Sequence, residues 1–200
     1  MKQLTKQTLI AYLLPVISGL IVLFIPDYDA FFTWLTIGIY LLLIMLPGFL
    51  YLKYKSRKNK EIVYRLTAKY MMYAFLLFWT FPILKLFSNN LGIQLLLLAI
   101  FISMLYLAKY DQNTEVPIIY PGDGKEHKKI AYVYYALPVL FVIAGGGGNV
   151  VAARHIAERL GHSKTMLLFS IVIYLFSCWI LFFFSSIIYK SHVKEGFLDK

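Results

Sequence analysis

The residues best equipped for chemistry lie between Ala144 and Lys164. Gly145, Gly146, Gly147, Gly148 and Asn149 come first, and Arg154, His155, Glu158, Arg159 and His162 follow closely. Glycine amides ahead of a helix start can hold an anion, and Arg154 would reinforce them. On a helix His155 neighbours Glu158 at i, i+3 and Arg159 at i, i+4. His155 and His162 stand seven residues apart, on one face of a continuous helix, a spacing that admits a pair of metal ligands. The competing reading is a flexible joint followed by a short interfacial helix that Gly161 ends, its Arg and Glu facing water. That second reading is the stronger. Gly145, Gly146, Gly147, Gly148, Asn149, Arg154, His155 and Glu158 are therefore candidate anion, ligand or partner contacts, and no catalytic residue, metal site or cofactor is assigned.

Elsewhere the sequence excludes more chemistry than it offers. No Asp or Glu falls in any long apolar stretch, so the aspartate pair of a membrane aspartyl peptidase is missing. There is no H-E-x-x-H, and Gly122-Asp123-Gly124-Lys125 lacks the spacing of a phosphate loop. Ser170, Ser177, Ser185 and Ser186 fall on one side of the last apolar stretch, yet no His accompanies them to act as base. Small polar residues on one side of a helix point to close helix packing, which is expected of Ser170 and Ser177 and of Ser18 and Gly19. The single cysteine, Cys178, rules out an intrachain disulfide.

The elements that must position these residues are six apolar stretches: Thr8–Ile25, Ala30–Leu52, Tyr70–Phe87, Leu91–Ala108, Ile130–Ala153 and Met166–Tyr189. A helix needs about 20 residues to cross a bilayer core, and each stretch has about that length. The composition agrees, with 60% hydrophobic residues and a mean hydropathy of +0.69. The expected fold is all-α: one integral membrane domain over residues 1–200, a polytopic transmembrane bundle of about six helices. Cytoplasmic loops are expected at 53–69 and 109–129. Five helices result if Ile130–Ala153, weakened by its glycine run, does not cross.

Charge sets the expected orientation. The chain has 16 Lys and 4 Arg, and a net charge of +10. With a cytoplasmic N-terminus, six crossings place 16 basic residues inside and 4 outside, and five crossings give the same division. The basic run from Lys53 to Lys69 then serves retention beside anionic lipids, and no nucleic-acid partner is expected. Lys2 and Lys6 precede an apolar core without a small-x-small cleavage site, which reads as an uncleaved first helix. Tyr28, Phe31, Phe32 and Trp34, and on the opposite side Tyr51, Tyr54, Tyr70 and Tyr73, form expected interfacial belts. Lys85, near a helix end, is expected to extend its amine to the interface. Val116–Gly124, with two prolines and two glycines around a small apolar patch, is expected to turn along the membrane surface.

The Gly-Asn run and its basic helix resemble one loop of the membrane acyl-phosphate glycerol-phosphate acyltransferases. That family's other loops have no counterpart here, so none of its residues is carried over. In size, helix number, lysine bias and aromatic-rich apolar segments the whole chain resembles small polytopic membrane proteins of Gram-positive type VII secretion loci, some of which are toxin-immunity partners. That resemblance implies a non-enzymatic protein that pairs its helices with a membrane partner or with its own copies, among membrane lipids. Gly38 and Gly48 join Ser18, Gly19, Ser170 and Ser177 as candidate surfaces. Two alternatives stand beside it: a substrate-binding transporter subunit with a small-residue edge at Ala11, Pro15 and Gly19, and a lipid-metabolism enzyme using Arg154, His155 and Glu158.

Overall fold

The computed structural model describes residues 2–53, 60–113, 117–119, 128–144 and 150–194. The described residues form helices and short connecting turns, with no strand among them. They fall into two compact units, Met1–Ser88 and Asn89–Lys200.

In the first unit α1 (Lys2–Leu23), α2 (Ala30–Lys53) and α3 (Lys60–Phe78) pack together, α1 against α3 most extensively, and a short α4 (Phe81–Leu86) follows. α1 stops before Ile25, because the residue preceding a proline, here Pro26, is sterically pushed out of the helical region. Asp29 starts α2: its Oδ1 accepts the Phe32 N–H at 3.1 Å and its carbonyl takes the Thr33 N–H at 3.0 Å. Residues 60–69, expected as loop, are helical. The helix expected to run to Phe87 instead breaks at Trp79 and Thr80. Pro82 accounts for the break, since it has no N–H for the Phe78 carbonyl and its ring crowds that turn. Within the first turn of α4 the same proline is tolerated.

Aromatic rings close the gap that the break opens. Phe78 and Phe81 meet edge to face at 5.5 Å, Phe81 meets Phe32 at 5.1 Å, and Phe78 meets Tyr40 at 5.4 Å. Phe32, expected in an interfacial belt, is thus a core residue, whereas Tyr28, Phe31 and Trp34 are exposed. Lys85 also departs from expectation. It is buried, and its amine turns inward to donate to the carbonyls of Val22 at 2.6 Å, Leu23 at 2.8 Å and Asp27 at 3.0 Å. These carbonyls belong to the end of α1 and the connection after it, where no helical N–H remains to meet them. Three ammonium hydrogens meet three acceptors, so α4 ties down the turn between α1 and α2.

The second unit contains α5 (Leu91–Asn113), α6 (Lys128–Ala144), α7 (Val150–Leu160) and α8 (His162–Lys194), with α5 against α8 as its main packing. Asn90 caps α5 by accepting the Ile93 N–H at 3.1 Å. Asp111 is buried near the end of α5 and accepts the N–H groups of Ile118 at 2.6 Å and Ile119 at 3.3 Å. This clasp draws Ile119 into a core with Ala108 and Phe182, while Pro117 and Ile118 are half-buried. The remainder of Val116–Gly124 lies outside the described residues. The stretch Ile130–Ala153 falls on α6 as far as Ala144 and on α7 from Val150.

Prolines inside helices add a second demand. Pro47 lies within α2 and Pro138 within α6, and each lacks the N–H that would bond the carbonyl four residues earlier. Those carbonyls are on Leu43 and Tyr134, and side chains of neighbouring helices supply the donors. The Tyr12 hydroxyl donates to Leu43 at 3.3 Å, and the Trp179 indole N–H to Tyr134 at 3.0 Å. Tyr134 returns a bond from its hydroxyl to the Trp179 carbonyl at 2.9 Å, with the two rings stacked at 5.2 Å.

Among the described residues three helices are long and apolar enough to cross a membrane: Ala30–Leu52, Leu91–Asn113 and His162–Tyr189. Tyr12–Leu23 and Ala131–Leu140 are shorter apolar helices.

Lys85→Met, which keeps the apolar stem and removes the donors, is expected to lower stability by about 2–3 kcal/mol. Lys85→Arg is expected to fail as well, because a planar fork does not match three converging carbonyls. Equilibrium unfolding followed by tryptophan fluorescence measures both.

Candidate functional site

The cluster on α7 is exposed and self-paired. Arg154 Nε lies 2.8 Å from Glu158 Oε1, and His155 Nδ1 lies 3.5 Å from Glu158 Oε2, with all three side chains more than half exposed. Glu158 therefore gathers the two cationic candidates to itself, as i, i+4 and i, i+3 spacing on a helix permits. His155 and His162 do not share a face. α7 ends at Leu160, Gly161 takes a left-handed backbone with φ of 75°, and His162 opens a new helix. The sequence spacing assumed one unbroken helix, and the turn at Gly161 removes it. No group of three or more His, Cys, Asp or Glu residues that could hold a metal occurs among the described residues. Gly145, Gly146, Gly147, Gly148 and Asn149 lie outside the described residues.

The small-residue candidates separate into two kinds. Ser18 and Gly19 are used inside the first unit, where Ser18 Oγ accepts the Trp79 indole N–H at 3.2 Å. A Cβ on Gly19 would collide with the Tyr40 hydroxyl and lie 2.7 Å from its ring carbon and 3.2 Å from Phe78. The missing side chain is what lets Tyr40 reach the Val16 carbonyl at 2.8 Å. Ser170 and Ser177 are fully buried within the second unit, as is Ser186. Tyr174, one turn from both Ser170 and Ser177 on α8, donates its hydroxyl to the Leu97 carbonyl of α5 at 2.8 Å. Gly38 and Gly48 are different, because among the described residues a Cβ at either would meet nothing within 4 Å. Both lie on α2 among exposed Leu41, Leu42, Met45 and Phe49.

Lys85 and Asp111 are the buried charges that sequence reasoning did not place as such. One signal was present for each: a lone lysine three residues after a proline, and a carboxylate at the end of an apolar helix beside Gln112. The Gln112 amide donates to Asp111 Oδ2 at 3.0 Å and to the Ile119 carbonyl at 3.3 Å. Lys85, Asp111, Tyr12, Tyr134, Tyr174 and Trp179 thus share one kind of task. Each bonds to main-chain groups at a helix end, a proline or a helix contact, and that geometry supports anchorage more directly than turnover. No family model, curated protein or solved structure matches the chain.

Gly19→Ala is expected to cost about 1–3 kcal/mol, because Tyr40 must give way in a packed contact. Among the described residues Ser170 Oγ and Ser186 Oγ have no hydrogen-bond partner, so Ser170→Ala and Ser186→Ala are expected to be neutral or to stabilise by up to about 1 kcal/mol. Unfolding midpoints of the three variants check both statements.

Proposed function

We propose that the chain is a multi-pass integral membrane protein with a cytoplasmic N-terminus. It acts by pairing its helices with another membrane protein, as an accessory or immunity-type partner, and carries out no reaction of its own. Support for the membrane setting comes from the three long apolar helices, of whose most apolar stretches only 17%, 11% and 28% is buried by the rest of the chain. So much outward apolar surface is stable against lipid and unstable against water. Support for the orientation is the lysine and arginine bias, 16 to 4 in favour of the N-terminal side for six crossings or five.

One observation carries the mode of action: the open positions at Gly38 and Gly48. Where this chain packs helices internally it uses its small residues, at Gly19 against Tyr40 and at Ser170 and Ser177 on α8. On α2 the same kind of residue is left uncovered on a face of exposed large apolar side chains. In lipid, helices associate through close packing over small residues, since lipid tails are as apolar as leucine and exclusion from water gives no drive. A helix from a partner would seat over Gly38 and Gly48.

The test is co-purification of the full chain from native membranes in mild detergent. A stoichiometric membrane partner is expected with the wild type and at least about tenfold less with Gly38→Ile or Gly48→Ile. Their unfolding free energies should stay within about 1 kcal/mol of the wild type, because a Cβ at either position meets nothing within 4 Å among the described residues. Recovery of the wild type without any partner, with or without prior cross-linking in the membrane, would contradict the proposal.

A further inference from the structure

We infer that α7 is a docking surface for the head groups of anionic phospholipids, an inference that rests on the membrane setting proposed above. Three independent features meet at this helix. Its sequence is two-sided: at 100° per residue Val150, Ala153, Ile156, Ala157 and Leu160 fall on one side, while Arg154, His155, Glu158 and Arg159 fall on the other, with exposed, apolar Val151 among them. Its position is fixed by Gly161, a single residue that separates it from α8, whose membrane-length apolar stretch begins at His162. When α8 crosses the bilayer, its first turn lies at the head-group level, and α7 is one residue away. A short two-sided helix at that depth lies in the interface with its apolar side toward the acyl chains.

The third feature is charge. Glu158 is the only acidic residue between Glu126 and Glu195, and it is engaged by Arg154 at 2.8 Å. Arg159 and Lys164 are exposed on either side of the Gly161 turn, with exposed His155 and His162 nearby. The segment therefore offers a cationic surface to whatever it faces, beside the start of a spanning helix. Phosphate diesters in an anionic leaflet match that surface in charge and in depth. Each arginine or lysine held near an anionic membrane surface strengthens attachment about fivefold, and salt screens the effect.

Hydrogen exchange of the full-length protein tests this in nanodiscs of pure phosphatidylcholine and of phosphatidylcholine with about one third phosphatidylglycerol. The amides of 151–160 are expected to exchange at least about fivefold more slowly in the anionic discs. Arg159→Gln with Lys164→Gln, or 0.5 M salt on the order used to screen surface charge, should abolish that difference. Equal exchange in the two lipids, with α2, α5 and α8 protected in both, would overturn the docking surface and leave the membrane setting intact. Slowing that survives in the double variant would overturn the assignment to these side chains. Free exchange throughout α2, α5 and α8 would instead overturn the membrane setting itself.

Discussion

A backbone carbonyl without an N–H partner has few places to turn in a chain as apolar as this one. Water satisfies such groups at the surface of a soluble protein; within hydrocarbon each unmet group costs several kcal/mol. Prolines lie inside α1, α2 and α6 at Pro15, Pro47 and Pro138, Pro82 follows a break, and α1 ends at Leu23, so the demand recurs. It is answered by a side chain at Pro47, at Pro138 and at the end of α1. Tyr12 reaches Leu43, Trp179 reaches Tyr134, and Lys85 reaches Val22, Leu23 and Asp27. Much of the internal arrangement of each unit follows from bringing those donors to those carbonyls.

The same constraint explains why the chemically capable side chains form no common centre. A buried ammonium or carboxylate is tolerated where its hydrogen-bonding capacity is met, and main-chain groups meet it here. Lys85 binds carbonyls, and Asp111 binds N–H groups; they are opposite solutions to the same difficulty at two helix ends. Each unit thereby gains defined turns. Among the groups that face outward are the apolar side of α2, with Gly38 and Gly48, and the charged side of α7. Contact with lipid and with other helices is what such surfaces are suited to.

Much of the fold was legible in the apolar stretches, because span-length hydrophobic runs report helices directly. α2 begins where Ala30 follows Asp29, and α7 ends at Leu160 before Gly161, both from local rules of capping. What escaped was anything that depends on two distant segments. Nothing near Pro47 in the sequence says that Tyr12 will serve it, 31 residues away from Leu43. A long stem lets Lys85 reach outward, which is why the sequence points to the interface, yet its acceptors lie 58 to 63 residues away in sequence. The candidate cluster suffered from the opposite error. Its histidine pair relied on an unbroken helix, and the backbone freedom of Gly161, visible as a cap, also removed the shared face. Of the small residues, only a view of the neighbours separates Gly19, pressed against Tyr40, from Gly38 with nothing over it.

Aromatic donors are placed to satisfy the carbonyls that Pro47 and Pro138 leave open, and a double-mutant cycle at Pro138 and Trp179 measures whether they do. Trp179→Phe removes the indole N–H but keeps an aromatic ring, and Pro138→Ala restores the N–H that the Tyr134 carbonyl lacks. Unfolding free energies of the wild type, both single variants and the double variant would be compared in the same detergent. Trp179→Phe is expected to cost about 1–3 kcal/mol beside Pro138 and at least about 1 kcal/mol less when Pro138→Ala is already in place. Equal costs in the two backgrounds would contradict that role, since the indole would then contribute only its packing.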